Sequence, residues 1–339
     1  MLNRKFYDYY IAISKSGVEY MEFRKLISFG KTSYVMSLPK SWILKNGLKK
    51  GDLIGLEEVE GNLLLNPKIE DKEKAQRKSI DIDITGVDRT SILYVIRSAY
   101  KMGYDDIKLT FRKPLAMHYR LGQEEKVISV VHEEVNRLIG IEVVQQKEDF
   151  CIIKDLSELS SAEFDSALRR VFLLINDASK DLIEAIKTNN RVLLETIEEK
   201  HDTITKFVSY CLRLINKKKH PDSKKSCVLY HIISSLDKIT DVLKYNERDV
   251  MRIKGKLKNE TIQILEKILK AIPDYYSLFY KFDFKKSSEM YKNRDDCIKA
   301  VFNAAKKIPP NELLVLEKTA AILETITDLA DARMALEYN

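Results

Sequence analysis

The sequence predicts a multidomain α+β protein with a small β module, a two-layer α/β middle domain and a C-terminal six-helix bundle. Three observations carry this prediction. Short apolar strands flank a compact polar insert near the N terminus. Strand and helix patterns then alternate through the middle of the chain. Apolar residues finally recur at helical spacing, and the 339-residue chain holds only 11 glycines and 7 prolines, which indicates few turns.

The first predicted module, residues 21–68, combines strands with a short helix. Pro39 ends its first strand because proline has no N–H to donate to a ladder. Gly47 ends the helical turns, as a left-handed glycine commonly does. We expect a module this small to pair with a copy of itself. Its predicted elements are strand 35–38, helix 42–44, strand 53–59 and strand 63–65.

The positive charge of the chain is concentrated in this module. The net charge is +7, and residues 1–50 hold ten Lys/Arg and three Asp/Glu, an excess of seven. The rest of the chain is therefore neutral overall. A concentrated basic patch is typical of a protein that binds the phosphate backbone of nucleic acid. A lysine-rich solvated surface is an equally good explanation of the charge alone.

A charged linker over 70–78 leads into a predicted α/β domain, residues 79–155. Strand–helix–strand–helix–strand–strand is the pattern of a small two-layer α/β domain. It contains no Gly-rich phosphate loop and no nucleophile, so we expect it to serve assembly or relay. The elements are strand 79–84, helix 89–102, strand 107–110, helix 124–139, strand 141–144 and strand 150–153.

Six long helices are predicted over 160–337, and they arrive as three plus three. This grouping indicates a bundle with an internal duplication. The predicted helices are 161–188, 191–215, 228–250, 259–279, 285–306 and 310–336.

Paired acids mark the duplication. An i, i+4 spacing places two carboxylates on one helix face, close enough to share a hard cation. Chance alone supplies several such pairs, so matched placement on two helices, 87 positions apart, is the stronger signal. The acids face away from the apolar stripe, which suits surface salt bridges and a shallow metal site alike. The pairs are Asp237 with Asp241, Glu324 with Asp328, and Glu198 with Asp202.

Other polar residues give weaker signals. His201 is expected to be a solvated histidine, and Trp42 a core anchor of its module. Ser33 has no His or Asp partner at a spacing that suggests nucleophilic catalysis, so we expect no enzyme activity. The four cysteines include no C-x-x-C pair, which favours a reduced, cytoplasmic location. No apolar run is long enough to span a membrane, so we expect no membrane insertion.

The stretches LPKSW, NGLKKGD and LLLNP follow Gly30–Ser33 and Arg24–Lys25, a pair expected to lie on a strand, and in this order they resemble the AbrB/SpoVT/MazE swapped-hairpin DNA-binding fold. This resemblance covers 21–68. It implies a homodimer with interlaced hairpins that binds double-stranded DNA through basic residues near the first strands. The implied contacts are Arg24, Lys25, Lys31, Ser33 and Lys40, with Lys45, Lys49 and Lys50 as long-range contributors.

The helical region is similar to the PhoU family, a pair of three-helix repeats whose E/D-x-x-x-D motifs bind metal clusters on the bundle surface. The resemblance implies divalent or ferric metal ions at the three acid pairs. Carboxylates at this spacing accept magnesium, manganese, iron or zinc. Lys292 departs from the pattern, because it stands where an acid should precede Asp296. An AbrB-like module ahead of a PhoU-like bundle resembles the phosphate uptake regulators of archaea.

Two hypotheses of function follow from these resemblances. The leading hypothesis is a dimeric transcriptional regulator of phosphate uptake, in which the N-terminal module binds DNA and the bundle senses or relays phosphate status. The alternative is an adaptor whose bundle docks on a phosphate transporter or a sensor kinase, while the basic module only dimerises. Salt-dependent binding to duplex DNA distinguishes the two.

Overall fold

The computed structural model of the chain describes residues 22–30, 32–59, 61–67, 77–157, 163–217 and 225–338. The chain divides into two compact units, Met1–Gln76 and Arg77–Asn339. The second unit contains both the α/β layer and the long helices. Among the helices that the structure describes, none is long and apolar enough to cross a membrane.

The first unit consists of two antiparallel hairpins and one short helix. The hairpins turn at Gly30 and Gly61, both of which adopt the positive φ that glycine tolerates best. β1 pairs with β2, and β3 pairs with β4. The elements are β1 Ile27–Phe29, β2 Ser33–Val35, α1 Lys40–Lys45, β3 Gly55–Val59 and β4 Asn62–Asn66.

Two predictions for this unit need correction. The strand predicted over 35–38 is instead β2, which ends at Val35. Val35 pairs with Ile27, the first residue of β1, so β1 offers no further residue for pairing beyond Val35. Arg24 and Lys25 also precede β1, whereas the sequence analysis placed them on a strand.

The described part of the first unit has no core of its own. None of the residues of this unit whose burial the structure describes is buried, and Trp42, the expected anchor, is only half-buried. Phe29, Tyr34 and Leu63 are about two-thirds exposed, at 69%, 68% and 69%. Apolar surface left in water contributes nothing to folding stability. These apolar side chains can therefore stabilise the unit only when they are buried against another protein surface.

The α/β layer of the second unit has a four-stranded sheet in the order β5–β6–β10–β9, with β5 parallel to β6 and the other pairs antiparallel. Its two helices bury Ile96 and Val131 against Leu109 and Ile153 of the sheet. The elements are β5 Ser79–Asp83, α2 Arg89–Lys101, β6 Asp106–Thr110, β7 Leu115–His118, β8 Gln123–Lys126, α3 Val127–Asn136, β9 Ile141–Gln146 and β10 Phe150–Asp155.

The prediction of a helix over 124–139 was wrong at both ends. The segment begins as β8, which pairs with β7 across a turn at Gly122, where φ is +66°. The helix starts only at Val127 and ends at Asn136. The sequence analysis missed this hairpin because the acids of β8 fit a helix start equally well, and the turn glycine was its only signal.

Seven helices, α4 to α10, form the rest of the described chain and share one hydrophobic core. Asn189, in the left-handed conformation, separates α4 from α5, and the side chain of Asn190 caps α5. Along the chain α4, α5 and α6 pack in succession, and α10 packs against α6, α7, α8 and α9. The helices are α4 Glu163–Thr188, α5 Arg191–Asn216, α6 Ser226–Arg252, α7 Asn259–Leu269, α8 Ala271–Tyr280, α9 Phe284–Ala304 and α10 Pro310–Ala335.

The fourth predicted helix, 259–279, is divided into α7 and α8 at Lys270. Pro273 explains the division, because it has no N–H to donate to the carbonyl of Leu269, and its ring crowds that carbonyl. The remaining helix boundaries lie within a few residues of those predicted.

Arg213 on α5 joins the helices to the α/β layer and is completely buried. One guanidinium nitrogen donates to the carbonyls of Tyr100 and Tyr104, at 2.7 and 2.8 Å. The other donates to Asp155 at 2.6 Å and Asp105 at 3.1 Å. The guanidinium also lies 4.7 Å from the centre of the Tyr100 ring. The buried charge is thus paired through two of the three guanidinium nitrogens, whereas Nε is buried without a hydrogen-bond partner among the described residues.

We predict that Arg213→Met destabilises the second unit by about 3 kcal/mol or more, because it leaves two buried carboxylates without their main partner. Urea unfolding followed by circular dichroism measures this change. The matched control is Arg191→Met, which removes an exposed arginine from the same helix. Equal unfolding midpoints for the two variants would contradict the role of Arg213.

Candidate functional site: a charged cleft in the second unit

A cleft of about 530 Å³ opens between the α/β layer and the helices. This volume lies within the range of small-molecule sites, about 300–1,000 Å³. One wall comes from α2, α3 and the β7–β8 connection, and the other from α5 and α6. Both walls belong to the second unit, so one packed body positions the whole site.

Helical spacing brings the charged side chains to the cleft. On α2, Arg89, Arg97 and Lys101 recur at multiples of four residues and share one face. On α6, Asp237 and Asp241 are one turn apart, as predicted, and both line the cleft. The sequence analysis found the acids but not the cations opposite them. The spacing of the cations was visible in the sequence, whereas the packing of α2 against the bundle was not.

Two arginines of the α/β wall are held by glutamates. Arg89 donates to Glu125 at 2.9 Å and to Glu133 at 2.7 Å. Arg97 makes a two-pronged pair with Glu134, at 2.6 and 2.9 Å, and the Glu134 side chain is fully buried. Bidentate pairs of this kind fix the orientation of a guanidinium. This wall is therefore pre-organised.

His201 lies at the centre of the opposite wall. Its Nδ1 is 3.1 Å from Asp202, and its Nε2 is 3.1 Å from Asp241 and 2.7 Å from Lys244 Nζ. Its side chain is only 13% exposed, so the expectation of a solvated histidine was wrong. Nε2 can hydrogen-bond to only one of these two neighbours at a time. It accepts from Lys244 when the imidazole is neutral and donates to Asp241 when the imidazole is protonated.

The pKa values in this group follow from burial and charge. Burial lowers the pKa of His201, but the hydrogen bonds to Asp202 and Asp241 outweigh it, so the pKa is raised overall. Burial raises the pKa of both carboxyls, yet the bonds from His201 and nearby cations hold each pKa below its usual range. The group therefore favours ionised acids and a protonated imidazole.

The structure brings four of the six predicted metal ligands into this cleft. Glu198 pairs with Arg248, and Asp202 accepts from Arg137 at 2.8 Å. Asp237 accepts from Thr205 at 2.8 Å. Asp241, whose contact with His201 is given above, also accepts from Lys244 at 2.9 Å.

The other two predicted ligands, Glu324 and Asp328, lie exposed on α10 and do not line the cleft. Glu324 forms a two-pronged pair with Arg294, at 3.0 and 2.7 Å. Over the described ranges, no three His, Cys, Asp or Glu side chains are grouped as a metal site requires. Each predicted ligand for which a contact is seen already pairs its carboxylate with a cation or a hydroxyl. In this arrangement these carboxylates do not fit a metal. The metal site stays a prediction from the family resemblance.

The predicted DNA-contact residues lie in the first unit, and all those that the structure describes are exposed. Arg24 pairs with Glu22 at 2.6 Å. Ser33 begins β2, and Lys40 and Lys45 are the two ends of α1. Lys31 lies outside the described residues. The other predicted DNA-contact residues are Lys25, Lys49 and Lys50.

Comparison with solved structures finds a similarity to a phosphate transport regulator. The chain is similar to the crystal structure of the phosphate transport system regulatory protein PhoU from Streptococcus pneumoniae, with 13% sequence identity and a TM-score of 0.40. The similarity covers 52% of this chain and 95% of that one. A scan of protein-family models and a search of curated proteins find no match to the sequence.

We predict that His201 stabilises the second unit more in mild acid than in alkali. Its raised folded pKa means that its contribution is complete below the unfolded pKa of about 6.5 and is lost as pH rises through the folded pKa. His201→Gln should therefore lower the free energy of unfolding more at about pH 6 than at about pH 9. The exposed His231→Gln is the control. A His201 effect that grows with pH would disprove the assignment.

Proposed function

We propose that this chain regulates phosphate uptake by binding proteins of phosphate transport or signalling, as the resemblance of its helical region to the PhoU family implies. The observation that carries the proposal lies on α9. Phe302 is 79% exposed, and Ile298, one turn away on the same face, is 38% exposed. Large apolar side chains in water at adjacent turns are typical of a protein contact surface.

The packing of α9 supports the same conclusion. This helix buries only four of its 21 residues, whereas α10 buries eleven of 26. The burial of Cys297 and Val301 shows which side of α9 meets the core. Phe302 lies about 100° around the helix from that side, since it follows Val301 directly, and is free to enter a pocket of a partner, where an aromatic anchor contributes most to affinity.

We predict that Phe302→Glu weakens association of the full chain with a phosphate transporter or its sensor kinase by about 2 kcal/mol, or about thirtyfold. Co-purification followed by titration against the purified partner measures this loss. Val192→Glu is the matched control, because it places the same charge at an apolar residue that is 73% exposed on α5. The proposed adaptor function would be contradicted if Phe302→Glu left binding unchanged, or if the natural protein did not bind the partner at all.

Duplex DNA binding by the first unit is a second candidate function. It is supported by the charge distribution, because the excess of seven positive charges lies within residues 1–50. It is also supported by exposure, since Lys25, Lys40 and Lys45 extend into solvent. The uncovered apolar side chains of both hairpins suit a dimer, in which a second copy covers them and doubles the charge facing DNA.

We predict that an Arg24→Ala/Lys40→Ala variant binds promoter DNA of phosphate-transporter genes more weakly and with a shallower salt dependence. Each lost phosphate contact should reduce the slope of log affinity against log salt by about 0.9. Titrations at several salt concentrations, beside scrambled duplex, measure both quantities. Lys113→Ala/Lys147→Ala removes two exposed lysines from the second unit and is the control. If both variants show the same salt slope and bind both duplexes equally, the DNA-binding function is contradicted. The adaptor function is then the one candidate that remains.

A further inference from the structure

One cation of the cleft is left unused by the ion-pair networks. The Lys101 side chain is half-buried at the end of α2, and over the described residues its ammonium makes no ion pair or hydrogen bond, although Asp237 attracts it from a longer distance. An ammonium removed from water without a partner is costly, and burial lowers its pKa accordingly. A bound anion is the partner that would remove this cost.

The surroundings of Lys101 strengthen the preference for an anion. Eight Lys/Arg and five Asp/Glu line the cleft, and Glu125 and Glu134 pair with two of these arginines from outside the lining, which leaves a surplus of one cation. Arg120 is exposed in the connection between β7 and β8, and Lys238 reaches from α6 with only a long contact, 3.9 Å, to Asp241. Lys101, Arg120 and Lys238 thus approach the cleft from three different elements. Exposed cations around a half-buried one suit a phosphate group.

Two tyrosines give the cleft flat apolar surfaces. Tyr94 on α2 is 59% exposed, and Tyr245 on α6 is 46% exposed, and both line the cleft. The Arg97 guanidinium lies 5.8 Å from the Tyr94 ring centre, and Lys244 Nζ lies 5.0 Å from that of Tyr245. Exposed rings beside cations are platforms on which nucleobases stack. Each wall of the cleft therefore offers one such platform.

Asp237 supplies a third kind of contact. No described lysine or arginine forms an ion pair with this acid of the cleft, although Lys101 and Arg97 attract it from a longer distance. Among the described residues, the one hydrogen bond seen to its carboxylate comes from Thr205. A carboxylate repels phosphate, so it needs a donor on the ligand. The hydroxyls of ribose are such donors, and an acidic residue holds them in many nucleotide sites.

We propose that this cleft is a nucleotide-binding site. Lys101, with Arg120 and Lys238, receives the phosphate, Asp237 accepts from a ribose hydroxyl, and the base stacks on Tyr94 or Tyr245. The inference does not depend on the protein contacts of α9 or on DNA binding. Its failure would leave both of those functions standing.

Isothermal titration of the full-length protein with adenosine and guanosine 5′-monophosphates tests the site, with adenosine and inorganic phosphate as separate probes. We expect a mononucleotide to bind more tightly than either fragment, and its affinity to fall with added salt. Lys101→Met should weaken it by about tenfold or more, since one charge-assisted hydrogen bond is lost. Tyr94→Ala together with Tyr245→Ala should weaken it by about fivefold or more.

The controls are Lys113→Met and Tyr119→Ala, which remove an exposed lysine and a 77% exposed tyrosine that do not line the cleft. Thermal melts establish that each variant is folded, and if Lys101→Met is not, the exposed Lys238→Met replaces it as the charge test. Inorganic phosphate binding as tightly as the mononucleotides would overturn the nucleotide assignment. Absence of binding by any probe, or equal effects of cleft and control variants, would overturn the site.

Discussion

The burial of one guanidinium is the constraint on which the second unit depends. Arg213 stands on α5, yet every partner in its network belongs to the α/β layer. An arginine removed from water is tolerated only when its charge is paired, as Arg213 is with Asp155 and Asp105, so the layer and the helix are fixed together in one register. Lys217, one turn further along α5, contacts the same two aspartates. Burial raises the pKa of Asp155, but the bonds from Ser157 and Arg213 outweigh this and keep the pKa low.

The cleft is a consequence of that register. Once α5 is fixed beneath the layer, the charged face of α2 lies opposite the acidic faces of α5 and α6. Most of those charges then neutralise one another, as Arg137 and Asp202 do across the two walls. What remains is a small set of cations, rings and one acid that the fold itself does not use. A structural role for the paired charges and a binding role for the unpaired ones therefore coexist in one site.

Local patterns in the sequence predicted most of the elements. The Asn189–Asn190 break and the helices beside it were legible because capping and left-handed residues act over a few positions. The β7–β8 hairpin was not, since its acids also suit a helix start and only Gly122 marked the turn. Four of the five acids that line the cleft were found by their spacing. The Arg137 partner of Asp202 was not, because tertiary packing joins the two. The Lys244 partner of Asp241 is an i, i+3 neighbour on the same helix, so its spacing was visible in the sequence but was overlooked.

The central claim is that the α/β layer and the helices open as one cooperative unit because Arg213 joins them. Native-state hydrogen exchange in increasing denaturant tests this directly, through the opening free energies of amides in β6 and α5. The account predicts one shared value in the natural protein and two separate values once Arg213 is replaced by methionine. Separate values in the natural protein would show that the layer opens independently, and would contradict the account.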